Sequence, residues 1–399
     1  MTAAAPSGAP RVAVVAGTPA LVRAARDLGV RTALVHDAAA PVPECAKEAD
    51  ETIPVDLADP EDLHRRLAAA HAEDPFDRVL SLTEPGLVPA AEAAEQLALR
   101  GNPLATVVLL KDKRRMRELL NGAGLSPTAV SAPGDAAALA AFCRTIGGPA
   151  VLKPANGSAS RAVVRVDGAD DAERAWNRFV RLGGADPLAE QYLDGPEVSV
   201  ETFTHAGRHL VVAVTGKAVW PSFVEAGHTM PAALEPAERE RAETLVRDFL
   251  DLVGLREGPA HTELRLTADG PRIIESHNRI GGDKIRELVR RCYGLDLPAL
   301  TVACALGLAE PPAEVPPPAA GAAIRFLAPE PGTVRRIEVP EPAHPDDVVR
   351  LNVEVGETVR PVRQSEDRAG YVLVTGEDAS DAAARADALA ARVVIETGR

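Results

Sequence analysis

Residues 12–16 read VAVVA, an unbroken apolar run that predicts a strand, and Gly17, Thr18 and Pro19 follow it as a turn. A helix comes next, with Leu21, Val22, Ala25 and Leu28 on one face and Gly29 closing it. The alternation continues with a strand at 32–36, a helix over 60–70 capped by Asp59 with Leu63 and Leu67 four apart, and a strand at 78–82. Strand and helix in alternation predict a parallel α/β domain. No G-x-G-x-x-G accompanies Gly17, so that glycine reads as turn chemistry rather than a dinucleotide site.

From 109 the text turns basic: LLKDKRRMRELLNGAGLSPT predicts a helix with Met116, Leu119 and Leu120 as its apolar stripe, and either Lys111 or Lys113 can reach a phosphate. A strand at 150–152 ends in Lys153 and Pro154 and runs into the small-residue loop ANGSASR, followed by a strand at 163–166. Such a loop can wrap phosphates with backbone N–H groups while the lysine supplies charge. It is no Walker A loop, since GKS or GKT and a following helix are missing. Beyond a helix at 170–180, the run EQYLDGPEVSVE reads as strand, turn, strand; its backbone can read an adenine and a carboxylate past the turn can accept ribose hydroxyls. Strands at 197–204 and 210–215 lead into a stretch, 217–233, that reads as irregular, and then a helix at 235–253.

The most pointed chemistry is PRIIESHNRIGGDKI at 271–285. Ile273 and Ile274 deliver Glu275 to a strand end, His277, Asn278 and Arg279 follow, and Gly281 and Gly282 open a helix. A second strand at 261–266 alternates polar with apolar and presents Glu263; the turn Ala268, Asp269, Gly270 joins the two into a hairpin. Two carboxylates roughly facing each other suggest a Mg²⁺ clamp. Helices at 284–293 and 297–308 precede the stiff linker EPPAEVPPP. The tail is a smaller α+β unit with strands at 322–327, 333–339 and 370–375 and a helix at 381–391, and nothing in it is chemically pointed.

Composition narrows the function. With 399 residues the chain has room for two or three domains. Its 58 acidic against 44 basic residues, with no basic block, argue against nucleic acid as a partner. The start MTAAAPSGAP lacks a positive segment with an apolar core, and no apolar run nears the ~18 residues of a membrane span, so a cytoplasmic protein without membrane contact is expected. Cys45, Cys143, Cys292 and Cys304 show no C-x-x-C spacing and read as small core residues.

Taken as an ordered set, the lysine helix, the KP strand with its small-residue loop, EQYLDGPE and the acidic pair ending ESHNRIGG resemble the ATP-grasp superfamily, most closely its L-amino-acid ligase branch. AAIRFLAPEPGTV and GYVLVTGEDASDAAARA in the tail resemble that branch's C-terminal domain. The resemblance implies an α/β and α+β multidomain protein: a Rossmann-like parallel domain over 1–110, an ATP-grasp domain over 111–310 with a lid at about 125–186, and a linker with a C-terminal α+β domain over 311–399. It further implies that Lys111 and Lys153 touch ATP phosphates and that Gly157, Ser158, Ala159 and Ser160 form the lid loop. Glu190, Gln191, Tyr192 and Leu193 would read adenine, and Glu197 the ribose. Glu263 and Glu275 match the Mg²⁺ carboxylates and Arg279 the arginine beside the acyl-phosphate, while Glu225 and His228 match a substrate-side pair. The superfamily often has Asn two residues past the second metal carboxylate; here that place is His277 and Asn278 stands one further on, so that either can face the metal, with Asn278 taken as the metal residue. The cofactors implied are ATP and Mg²⁺, two ions with Mn²⁺ as a possible substitute. The reaction implied is amide formation between small-molecule carboxylate and amine substrates, amino acids by expectation, by a homodimer in specialised peptide or natural-product biosynthesis. Two other readings stay open: a different ATP-grasp enzyme, such as a carboxylase or a formyl-phosphate transformylase, and a nucleotide-binding regulatory protein without turnover. Against a biotin-dependent carboxylase, no M-K-M tail is present.

Overall fold

In the computed structural model, which describes residues 8–157 and 160–398, the apolar run forms the strand Arg11–Val15, buried at all five positions. Its side chains alternate between two cores: Val12 and Val14 pack with Leu21 and Val22 of the Pro19–Asp27 helix, Ala13 and Val15 with Leu63 and Leu67 of the Pro60–Glu73 helix. A strand covered on both sides has no wet face, which is why its sequence shows no alternation. The parallel sheet runs Glu51–Val55, Arg31–Asp37, Arg11–Val15, Arg78–Leu80. Glu51–Val55 escapes the hydrophobic pattern because ETIPV is an edge strand whose outer positions are exposed.

The basic helix is two helices, Leu104–Lys111 and Lys113–Gly122, with Asp112 between them. The Asp112 carboxylate accepts the N–H groups of Arg114 at 3.0 Å and Arg115 at 3.1 Å, so it caps a new helix instead of continuing the old one. The segment expected to be a lid holds an antiparallel sheet in the order Val130–Ser131, Pro187–Gln191, Ala150–Pro154, Val164–Val166, packed on the helices Ala136–Ile146 and Ala172–Arg181.

The main sheet has eight antiparallel strands in the order Gly270–His277, Gly258–Thr267, Glu197–His205, Arg208–Val219, Glu225–Met230, Gly321–Leu327, Gly370–Gly376, Val348–Leu351. One expectation changes here. The stretch read as irregular is the end of one long strand, a short connection and the Glu225–Met230 strand. The first tail strand, Gly321–Leu327, pairs directly with Glu225–Met230 and carries the sheet onward, and a small second sheet holds Thr358–Val359, Gly332–Glu338 and Val394–Gly398. The Pro236–Val253 helix seals one face of the main sheet, and the Ile285–Tyr293 helix the other. All four cysteines are buried thiols. Among the described residues no helix is long and apolar enough to cross a membrane.

Candidate active site

The two acidic strands pair so that Glu263 lies directly opposite Glu275. A register shift just beyond this pair, where Ile274 is left over between Glu275 and Ile273, breaks the ladder at the strand end that carries the chemistry. Cations surround both carboxylates. Lys113 Nζ lies 2.9 Å from Glu275 and donates to the Gly157 carbonyl at 2.7 Å, and His277 Nε2 is 3.2 Å from the other Glu275 oxygen. On Glu263 converge the Lys217 ammonium and, at 3.1 Å, His261 Nε2. Burial alone would push both carboxyl groups up, but Lys113 with His277, and Lys217 with His261, hold them well below the usual carboxylate range. Two ionised carboxylates on one face form a hard-oxygen donor set that suits Mg²⁺ held jointly with phosphate oxygens. Among the described residues no group of three or more His, Cys, Asp or Glu side chains is placed to hold a metal ion.

A cavity between lid and main sheet is lined by Lys113, Lys153, Tyr192, Leu193, Glu197 and both central carboxylates. Lys113, not Lys111, faces it: the Asp112 cap restarts the helix, and Lys111 stays on the partly exposed end of the preceding one. Gly157 and Ser160 line the same cavity, while Ser158 and Ala159 lie outside the described residues. Glu190 does not reach for a base; it is buried between Lys153 Nζ at 2.6 Å and Arg117 Nε at 2.9 Å. Its neighbours' N–H groups are spent within the lid, Gln191 on Ala129 and Tyr192 on Pro149, whereas the Leu193 N–H has no partner among the described residues. Glu197 is held by Lys217 at 3.0 Å and Arg265 at 2.7 Å.

A second cavity opens on the same carboxylates from the other side and is lined by Glu84, Glu225, His228, Arg279 and Asp283. Glu225 and His228 stand three apart, which in a regular strand puts them on opposite faces. A shift opposite Ala218 and Val219 inserts Ala226 as an extra residue and brings both to this cavity. Burial, with Glu263 and Asp283 nearby, raises the Glu225 carboxyl despite Lys217 at 3.6 Å. Arg279 Nε donates to Glu84 at 2.8 Å, not to Asp283 or Glu287. The assignment of Asn278 to the metal does not hold. Strand alternation puts His277 on the face of Glu275 and turns Asn278 into a separate cavity beside Leu80, Leu82 and Phe203, where its Oδ1 has no partner. Both His277 ring nitrogens face carboxylates, Nε2 on Glu275 and Nδ1 3.3 Å from Glu84, and although burial disfavours its charge the two carboxylates raise its pKa.

Comparison with known proteins bears on this arrangement directly. Three family models match in chain order: the ATP-grasp N-terminal domain over residues 22–101, the ATP-grasp domain over 146–287, and the L-amino acid ligase C-terminal domain 2 over 325–398. The chain belongs to the ATP-grasp superfamily. Its fold matches the crystal structure of an L-amino acid ligase from Bacillus licheniformis at a TM-score of 0.82 and 25% identity, over 99% of this chain and 100% of that one. Alanine–anticapsin ligase of Bacillus subtilis is 25% identical over 56% of this chain, and human carnosine synthase 1 is 32% identical over 41% of it. The matched stretches span 52% and 22% of those two relatives.

Several residues of this ATP-grasp cleft carry no local sequence signal. Lys217, with 1% of its side chain exposed, bridges Glu197, Glu225 and Glu263, and these carboxylates raise its pKa well above the ordinary value although burial opposes its charge. Glu84, from the loop after the last parallel strand, is held down to about 2 by His277 and Arg279 against its burial. His261 had a usable signal, since H-T-E spacing puts it on the face of Glu263. Its Nδ1 lies 2.9 Å from buried Glu201, and Gly281 passes so close that a Cβ there would meet that nitrogen at 2.7 Å. Burial lowers the His261 pKa, but Glu201 and Glu263 raise it from 6.5 to about 9. A raised folded-state pKa means that protonated His261 stabilises the fold fully below pH 6.5 and that this contribution is lost as the pH climbs through about 9. Thermal melts from pH 6 to 10 are expected to show that alkaline loss, and the His261→Gln, Glu201→Gln double variant to flatten it; an equal slope in both proteins would exclude the pair as its source.

Proposed function

We propose that this chain is an ATP-dependent carboxylate–amine ligase that makes an amide bond through an acyl-phosphate and releases ADP and phosphate. One observation carries the reading: the lysine-lined cavity and the cavity of Glu84, Glu225, His228 and Arg279 meet at the same three carboxylates, Glu225, Glu263 and Glu275. A nucleotide on one side and an acid on the other are thus brought within reach of one charge-compensated strand end. The names of the matched relatives, an alanine–anticapsin ligase, a carnosine synthase and an L-amino acid ligase, support the same class. On this reading residues 1–110, 111–310 and 311–399 are the N-terminal, ATP-grasp and C-terminal domains.

Each side chain then has a task. Lys113 and Lys153 offset phosphate charge, the Leu193 N–H reads the adenine edge, and Glu197 accepts from the ribose. Glu263 and Glu275 would hold Mg²⁺, which when bound neutralises charge on the phosphate oxygens. The substrate carboxylate attacks the terminal phosphate, and the amine attacks the resulting acyl-phosphate with Arg279 beside the carbonyl oxyanion. Glu225, with its raised pKa, is placed to take the proton the amine must lose. ADP and phosphate release over pairs of amino acids tests the reading. Release that needs both an acid and an amine is expected; bicarbonate or formate dependence would point to the other ATP-grasp chemistries, and binding without turnover to a regulatory protein.

Arg279→Lys separates ligation from ATP hydrolysis. Lysine keeps the charge but loses the fork, so amide formation is expected to fall by ~2 kcal/mol or more in transition-state terms while ATP affinity hardly changes. Melting temperature, ATP binding and product yield on one preparation decide it: a destabilised but fully active variant would remove Arg279 from the reacting groups and leave it a structural role through Glu84 and the Ile280 carbonyl.

A further inference from the structure

Just past Arg279 the chain does something costly. Asp283 and Lys284, neither a glycine, both adopt left-handed backbone, with φ of 52° and 67°, immediately before the Ile285–Tyr293 helix. Such residues cost roughly 1–2 kcal/mol each and persist where the surroundings over-determine them. The restraint comes from 85 residues away. Arg368 grips the Asp283 carboxylate with both terminal nitrogens, at 2.8 and 2.5 Å, while its Nε donates to the Ser365 carbonyl at 2.8 Å. The guanidinium lies 3.7 Å over the Phe326 ring, and the residue is only 8% exposed. A forked pair in this setting is far stronger than an exposed ion pair, because its geometry is fixed and water competes poorly. Among the described residues Asp283 has one other side-chain partner, His228 Nε2 at 3.4 Å, so the chain of contacts runs from the tail through Asp283 to a substrate-side imidazole.

We propose that Arg368 is a positioning residue of the substrate cavity: it clamps Asp283, and with it the strained entry of the Ile285–Tyr293 helix and the His228 ring, in the arrangement that receives the substrates. The effect is confined to one side of the site, since neither Asp283, His228 nor Arg368 lines the nucleotide cavity. The same turn meets the acceptor side again, with Ser365 lining the cavity and its hydroxyl 3.5 Å from Glu225. This inference rests on the ligase reading for its kinetic consequence but not for its structural one, and the test uses both.

Arg368→Gln in the full chain is expected to raise KM for the amino-acid substrates at least ~10-fold, the scale on which supporting contacts act, with the ATP Kd unchanged. Guanidinium ion at millimolar concentration is expected to restore part of the loss in Arg368→Ala, which a general packing defect would not allow. Hydrogen exchange gives the reading-independent arm: the amides of Ile285, Glu287 and Leu288, which bond Gly282 and Lys284 carbonyls, are expected to exchange faster in Arg368→Gln. Should that variant fold poorly, Arg368→Lys and the neutral pair Asp283→Asn, Arg368→Gln replace it. Unchanged exchange at those amides overturns the clamp whatever the site catalyses. Faster exchange with unchanged KM, in a wild type that turns over, overturns its role toward substrate. A wild type without amino-acid-dependent ADP release refutes the ligase reading and with it the kinetic role, and exchange alone then decides the clamp.

Discussion

Glu275→Gln is expected to lower acid- and amine-dependent ADP release at least ~100-fold, on the scale of losing one transition-state contact, with the fold retained. The substitution keeps size and shape but removes one negative charge from the facing pair with Glu263. It also leaves Lys113 and His277, both drawn toward Glu275 in the wild type, with an amide in place of a carboxylate. Cation binding gives an independent readout: Mg²⁺ or Mn²⁺ affinity measured by titration should weaken with turnover. Near-normal turnover under saturating substrates would show that Glu275 is not a metal carboxylate.

Lys217→Met carries the largest expected effect on stability. The ammonium is the common partner of Glu197, Glu225 and Glu263, whose side chains are only 10%, 16% and 14% exposed. Removing one partner of a buried ion cluster leaves the rest uncompensated, a loss of about 3–5 kcal/mol, whereas the attraction itself in the intact cluster is largely offset by desolvation. On the proposed ligase reading turnover should fall too, because the three carboxylates would repel one another away from the ribose, substrate and metal positions proposed for them. Adding Glu225→Gln to Lys217→Met should recover part of the stability by removing one of the repelling charges. Chemical denaturation of the single and double variants reads this, and a Lys217→Met protein as stable as the wild type would mean that the cluster is held by something other than the lysine.

Much of the fold is written locally. Fully apolar 12–16 and the cap at Asp59 follow from period, burial and the need to satisfy helix-end N–H groups, all set by residues a few positions apart. The acidic hairpin is local only in part: the turn at Ala268 and Asp269 sets a register that would pair Glu263 with Ile274, and the extra residue Ile274 brings Glu275 opposite Glu263 instead. Phase was the weak point. Asp112 restarts a helix and turns Lys113 rather than Lys111 inward, and the extra residue Ala226 swings Glu225 round to the face of His228. One residue gained or one cap formed reverses which side chains face the cleft, and a hydrophobic pattern interrupted by function does not show where that happens.

The sequence by itself determined the alternating elements at the start of the chain, the acidic hairpin and the ordered set of charged motifs that marks an ATP-grasp chain, but not strands such as Glu51–Val55 and Glu225–Met230. Only the tertiary structure decided how the charges are shared: Lys217 among three carboxylates, His277 between Glu275 and Glu84, Arg368 on Asp283. These partners are up to 193 residues apart, and whether a lysine ends in water or among carboxylates depends on which strands become neighbours. Secondary structure answers to contacts within a turn or a strand pair, whereas a buried charge answers to every element that closes around it.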